Sequence, residues 1–343
     1  MISNRMVLTL SMAAAVISLS MAVAEAQTRL IFASESPAGT PNSVFYSSVA
    51  KKITDDSQGT LNVELRDGET LANVANAYDR VSDDVIQIGW LLHSLVGNRF
   101  PRSEVSGLPF IGDNNIACSV ASWKLYESGL LDAEYKDVVP IWFGCLATSY
   151  LHWAKVPSDT DSMLKNGDLH GAKFRVNGKI PGEVVRLLNG TPASMAPAEM
   201  YEGLQRGIIN GVVTSWAGFD PYKLVEVTDY HVEAPIASTA SMHFMSRKKF
   251  DSLPKQAQDA IMKNGGIAGS IEMAKFINRA VDRARTGVIN AKQQIVKLTP
   301  EQNKTWEEKT ATAKQGWVNA TPDGDKVLAA FVKFYKEAEG SGQ

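Results

Sequence analysis

The chain has 343 residues, of which 44% are hydrophobic and 21% charged, and its formal net charge is −2 at pH 7. That balance describes a packed globular protein long enough for two domains, with no basic block to attract nucleic acid. Its two cysteines and five histidines form no CxxC and no HExxH, so neither a zinc ribbon, a thioredoxin-like redox pair nor another metal site is expected.

The first 26 residues read as a secretory signal rather than as part of the fold. Arg5 marks a short basic region, an apolar run extends from Val7 to about Val23, and Ala24-Glu25-Ala26 supplies an A-x-A cleavage site. The mature protein is expected to start at Gln27 and to be exported and soluble. No later stretch reaches the ~18 to 20 apolar residues of a transmembrane helix.

From there strand and helix signals alternate. Strands are expected at 29–34, 61–65, 85–90 and 138–147, with helices over 42–59, 73–84 and 115–131 between them. This order predicts an α/β lobe with a mostly parallel sheet and helices on both faces. The pattern restarts after Leu146, with strands at 149–156, 172–178, 191–196 and 209–216 and helices over 181–190 and 197–207. Residues 230–246 read as two strands crossing between lobes. Residues 254–292 are helix-rich, interrupted at Gly265-Gly266, and Ile267, Ile271, Ala274, Val281, Ala284 and Val288 fall on one face. A helix of that length can lie across two lobes. The expected architecture is a two-lobed α/β protein with a hinge and a spanning helix. Lobe I takes 27–146 plus 240–280, and lobe II takes 147–239 plus 281–343. Ligands of such folds sit beyond the carboxyl ends of strands, here between the lobes.

Catalytic signatures are missing. There is no GxSxG elbow, no Walker loop and no GxGxxG turn. Ser48-Val-Ala-Lys51 matches S-x-x-K but lacks its companion motifs, and reads as ordinary helix surface. Cys118 and Cys145 fit either a disulfide, which export permits, or two buried thiols on a helix and a strand. In HGAKFRVNG (170–178), Phe174 and Val176 anchor one strand face while Arg175 projects from the other. By itself that arginine is either a solvated charge or a fixed cation.

Several segments together resemble the periplasmic solute receptors of TRAP transporters, the DctP-type family. LHGAKFRVNG and MAPAEMYEGLQRGIINGVV (195–213) match its central signature, and FASESPAGTPNSVF (32–45), GLPFIGD (107–113) and SLPKQAQDAI (252–261) fall in its order. The resemblance implies a periplasmic binding protein that closes over a small organic acid and hands it to small and large membrane permease subunits. It implies that Arg175 is the carboxylate-binding arginine, since a guanidinium matches a carboxylate bidentately and stays charged.

Two departures from the pattern shape the expected ligand. The second arginine of dicarboxylate and sialate receptors is missing near Ser149 and Tyr150, and the family's asparagine position is Thr214. Trp90 and Trp216, at carboxyl ends of strands, offer flat apolar walls. An aromatic or apolar monocarboxylate is therefore expected, bound by Arg175 with Thr214, Trp216, Trp90, Tyr150, Ser149 and, ending the first strand, Ser34. No cofactor, metal or nucleic acid and a monomeric state are expected. The alternatives are an exported ligand sensor for a membrane receptor and, more remotely, an exported enzyme on the same scaffold.

Overall fold

The computed structural model describes residues 27–96 and 99–341. The signal segment lies outside the described residues. The elements run β1 (Thr28–Ala33), α1 (Pro41–Asp56), β2 (Leu61–Arg66), α2 (Ala77–Ser82), β3 (Gly89–Leu92), α3 (Asn115–Glu127), β4 (Val138–Cys145) and β5 (Ser149–Trp153). There follow α4 (Thr160–Asn166), β6 (Lys173–Val176), α5 (Lys179–Leu187), β7 (Thr191–Ser194), α6 (Met200–Gln205), β8 (Gly211–Ser215), β9 (Tyr230–Ala237) and β10 (Ala240–Ser246). The chain ends with α7 (Arg247–Asp251), α8 (Lys255–Lys263), α9 (Gly266–Asn290), β11 (Gln294–Lys297), α10 (Pro300–Ala320) and α11 (Gly324–Gly340).

In the first lobe β1 and β2 pair in parallel around α1, whose start is fixed by Pro41 and by Thr40 Oγ1 accepting the Ser43 N–H at 3.3 Å. A bridge between Phe32 and Ile88 joins β1 to the segment entering β3. β10 then inserts antiparallel between β3 and β4. The second lobe holds one sheet of six strands in the order β11-β9-β5-β8-β6-β7. There β6 runs parallel to β7 and β8, while β5 is antiparallel to both β8 and β9. Both sheets are thus mixed, not mostly parallel. A strand that crosses between lobes enters the second sheet already pointing one way, and its return partner must run the other.

Those crossings are two short links. β4 passes to β5 through Leu146–Thr148, and β9 returns to β10 through Ser238 and Thr239. The Leu146 N–H donates to the Thr239 carbonyl at 3.0 Å, so the two links are tied side by side. Ala147 adopts a φ of 52°, a left-handed conformation unusual for a residue with a Cβ.

Helix α9 spans both lobes. Met273, Phe276 and Ile277 pack in the core around β1 and β2, whereas Ala284 and Val288 belong to a cluster with Tyr150, Val212 and Trp216. Its approach to the first sheet is close: Ser270 Oγ accepts the Phe143 N–H at 3.1 Å, and a Cβ at Gly265 would collide with the Ile141 carbonyl. The glycine pair therefore lets the α8–α9 turn press against β4.

The two C-terminal helices divide between the lobes. Trp306 of α10 is fully buried with Leu151 and Phe174, and its N–H donates to the Leu164 carbonyl at 2.8 Å. Helix α11 instead places Val327, Phe331 and Tyr335 in the core with α3 and Phe143. The expected assignment of all of 281–343 to the second lobe thus misses the return of α11 to the first. The apolar spacing of α11 fits either partner, and only the turn at Thr321–Asp323 decides which.

Cys118 of α3 and Cys145 of β4 form a disulfide separated by 27 residues. Closing a loop of that size removes unfolded-chain entropy worth about 3 to 4 kcal/mol. The Cys118→Ala/Cys145→Ala variant should lose roughly that much in denaturant unfolding of the mature protein, and a midpoint equal to wild type would contradict the estimate.

Candidate functional site

Residue 175 sits on β6, between β7 and β8, with Phe174 in the core below. Its side chain lies on the opposite face, as strand alternation requires, and only 4% of the residue is exposed. Nε donates to the Met195 carbonyl at 3.0 Å, and no Asp or Glu among the described residues forms an ion pair with the guanidinium. Burial lowers its pKa below the ordinary arginine value, because the desolvated site disfavours the charged form. A buried cation without a counter-charge is the main electrostatic irregularity of this face.

Tyr222 stands beside it. Burial raises the Tyr222 pKa, the Arg175 charge opposes that rise, and Glu35 and Glu69 add to it. The phenol thus lies in the fields of a second-lobe cation and of first-lobe acids. Gly218 separates Thr214 from Tyr222, and a Cβ there would come within 3.1 Å of Thr214 Oγ1. The Met195 carbonyl beside Arg175, and Thr214 and Tyr222 on either side of Gly218, are taken as the second-lobe wall of the candidate site.

The first-lobe wall is built from the turn after β1. Ser34 is fully buried, and its Oγ accepts the Ser36 N–H at 3.1 Å. This bond holds up the intervening Glu35, whose Oε1 accepts from Ser36 Oγ at 3.0 Å. Trp90 of β3 is half-buried and pairs with His243 across the strands. Glu35 and Trp90 line one shallow recess, together with Ala72, Asn73 and Val74. A second recess lies between Asn114, Thr148, Pro235 and Tyr335, and Arg175 lines neither of the two.

The remaining expected residues, Trp216, Tyr150 and Ser149, are each buried in the second lobe. Trp216 is 1% exposed, its indole N–H donates to Glu233 Oε1 at 2.9 Å, and its ring packs on His152, Phe219 and His231. It is core of the second lobe, where Arg285 of α9 also pairs with Glu233. The sequence showed a tryptophan at a strand end but not the direction in which the turn carries it. Tyr150 is buried, and its hydroxyl donates to Asp113 in the loop preceding α3. Burial, and then Asp113, raise the Tyr150 pKa, so the phenol stays protonated and acts as a strut across the lobes. Ser149 is buried on β5 opposite Ser215 and Ala237, next to the crossing link.

Sequence reading missed Glu35, Tyr222 and Asp113. Glu35 was visible as a carboxylate one residue past a strand, but its burial was not. Tyr222 lies in the irregular stretch after β8, where no periodicity signals a face.

Under this wall His152 and His231 meet, with Nδ1 atoms 2.9 Å apart. His152 Nε2 lies 3.1 Å from the Thr214 carbonyl oxygen and His231 Nε2 lies 3.0 Å from Gln293 Oε1. Among the described residues no group of three or more His, Cys, Asp or Glu is placed to hold a metal ion, and no helix is long and apolar enough to cross a membrane.

The profile of the bacterial extracellular solute-binding proteins of family 7, DctP, matches residues 32–318. This chain belongs to that family. It is a solute receptor and not an enzyme. Among DctP relatives it is 22% identical over 268 residues to the C4-dicarboxylate-binding periplasmic protein DctP of Vibrio cholerae, covering 78% of this chain and 79% of that one. A TRAP solute-binding protein from Rhodoferax ferrireducens, solved with copurified benzoate, superposes with a TM-score of 0.82 at 21% identity. That match covers 92% of this chain and all of the other. A marine-metagenome TRAP solute-binding protein solved with 3-hydroxybenzoate gives 0.81 at 22% identity, covering 91% and 99%. These structural likenesses carry the two-lobed DctP fold.

Burial depresses the histidines of the receptor: His93 and His231 to about 4, His243 to about 3, and His152 well below the usual value, where the neighbouring His231 adds to the effect. Unfolded histidines bind protons near pH 6.5, so these rings subtract stability as pH falls below that value, until each folded value is passed. In heteronuclear NMR all four should keep neutral-ring shifts from pH 7.5 down to 5.5. A ring among them titrating near 6.5 would contradict its burial.

Proposed function

We propose that this DctP protein is a periplasmic receptor for an aromatic or otherwise apolar monocarboxylate. The acid binds between the lobes on Arg175 and is delivered to small and large TRAP membrane subunits, the receptor acting as a monomer. The observation that carries this reading is the buried, ion-pair-free guanidinium. Burying a charge is unfavourable unless it is paired, and a bidentate carboxylate is the partner that fits a guanidinium best. Neutral groups surround it, namely Thr214, Tyr222 and a carbonyl. A second ligand carboxylate would need its own cation, which favours acids with one. Trp90 and Tyr222 supply flat faces for the apolar body, in the role that Trp216 does not fill. The benzoate and 3-hydroxybenzoate held by the two similar structures support the same ligand class.

Closure follows from the connections. The lobes join only through the Leu146–Thr148 and Ser238–Thr239 links, α9 and the C-terminal passage from α10 to α11, so rotation concentrates at a few element ends. Lobe I then comprises 27–146, 240–280 and α11, and lobe II the rest. Small-angle scattering should show a smaller radius of gyration at saturating ligand, whereas an unchanged profile would speak against a closing cleft.

Arg175→Ala removes a charge-assisted pair from a desolvated site, worth on the order of 2 to 5 kcal/mol. Calorimetry with benzoate should then show affinity lower by roughly 30-fold to several thousand-fold, at little cost in melting temperature. Arg175→Lys should recover only part, because ammonium lacks the fork. Near-wild-type affinity in Arg175→Ala, or tighter binding of succinate than of benzoate by wild type, would overturn the proposal.

A further inference from the structure

We propose that Glu35 and Trp90 form a second polar subsite that takes a hydroxyl group on the far end of the bound acid, so that the ligand class narrows to hydroxylated aromatic monocarboxylates. This rests on the reading of Arg175 as the carboxylate anchor.

Six buried side-chain atoms lack a partner among the described residues, and two of them, Glu35 Oε2 and Trp90 Nε1, belong to residues lining one recess of the first lobe. They are complementary in kind. The carboxylate oxygen needs a donor, and the indole N–H needs an acceptor. Buried polar groups are paired in almost all folded proteins, and those left open at a cleft mark where something else binds. Both residues line the same recess, whose other walls are apolar (Ala33, Ala72, Val74) except for Asn73, whose Oδ1 already accepts from the Ala75 and Asn76 N–H groups. A hydroxyl satisfies both at once, donating to Glu35 and accepting from Trp90. An ammonium group can serve only the acceptor, and a bare ring edge serves neither. Glu35 and Arg175 both act electrostatically on the Tyr222 phenol, so one side chain lies within the fields of the recess and of the cation.

The turn is built to hold Glu35 in place. Ser34 Oγ fixes the Ser36 N–H, Ser36 Oγ holds Glu35 Oε1, and Asn42 Nδ2 donates to Ser36 Oγ at 3.1 Å. One carboxylate oxygen is thereby fixed, and the other is left facing the recess.

The test is calorimetry of the full mature protein with benzoate, 3-hydroxybenzoate and 4-hydroxybenzoate. The better-fitting hydroxy acid should bind roughly tenfold or more tighter than benzoate, since two hydrogen bonds are added, one of them to an ionisable group. Trp90→Phe keeps the ring and removes the N–H, and Glu35→Met keeps the length and removes the acceptor. Each should shrink the hydroxyl advantage, read as the ratio of benzoate to hydroxy-acid Kd within the same variant, to about threefold or less. Melting curves of both variants confirm that they fold. Hydroxy acids no tighter than benzoate, as water filling the recess would give, overturn the subsite, and so does an advantage that survives both substitutions. Loss of Arg175 reports separately: benzoate binding unchanged in Arg175→Ala overturns the anchor. Failure of wild type to bind any of the three acids overturns anchor and subsite together.

Discussion

A guanidinium held under a layer of side chains, with one carbonyl and no carboxylate for company, sets the terms for the rest of this receptor. Removing such an ion from water costs several kcal/mol, and a lone carbonyl returns only part of that. The fold carries the cost because Arg175 cannot leave: Phe174 and Val176 pin its strand into the core on either side. On the proposed reading, an arriving carboxylate pairs the charge and recovers part of that cost. Around it the protein presents neutral groups, so discrimination falls on ligand charge count and on the shape of the apolar body.

On the proposed reading, the scaffold gives that cation a partner surface across the crossing links. Strands that cross between sheets must reverse direction, and both sheets are mixed for that reason. Helix α9 packs by its first half on one lobe and by its second half on the other, with Arg285 pairing with Glu233 beneath Trp216. The Tyr150–Asp113 contact and the bond from Asn177 Nδ2 to Thr239 Oγ1 at 3.2 Å add polar struts near the crossing links. Polar struts exchange for water at modest cost, whereas apolar ones would lock the lobes.

Much of this was legible along the chain. The alternation in KFRV gave the strand and the side of Arg175, and a 3.6-residue stripe with a glycine pair before it gave the spanning helix. The family resemblance named the role of the arginine, which spacing alone left open. Other parts had no local signal. Trp216 and Trp90 look alike in sequence, each beside a strand end, yet one indole closes on Glu233 in the core and the other faces a recess. The destination of α11 is set by a short turn, and the burial of Glu35 by a pair of serines whose hydroxyls could equally have met solvent. Tertiary closure decides these, and no single-segment pattern reports it.

The most direct measurement is a crystal structure of the mature protein soaked or grown with a hydroxylated aromatic acid. The terminal guanidinium nitrogens of Arg175 should each lie about 2.7 to 2.9 Å from a carboxylate oxygen of the ligand, between closed lobes. A ligand carboxylate held elsewhere, with Arg175 still bonded only to the Met195 carbonyl, would contradict the central claim.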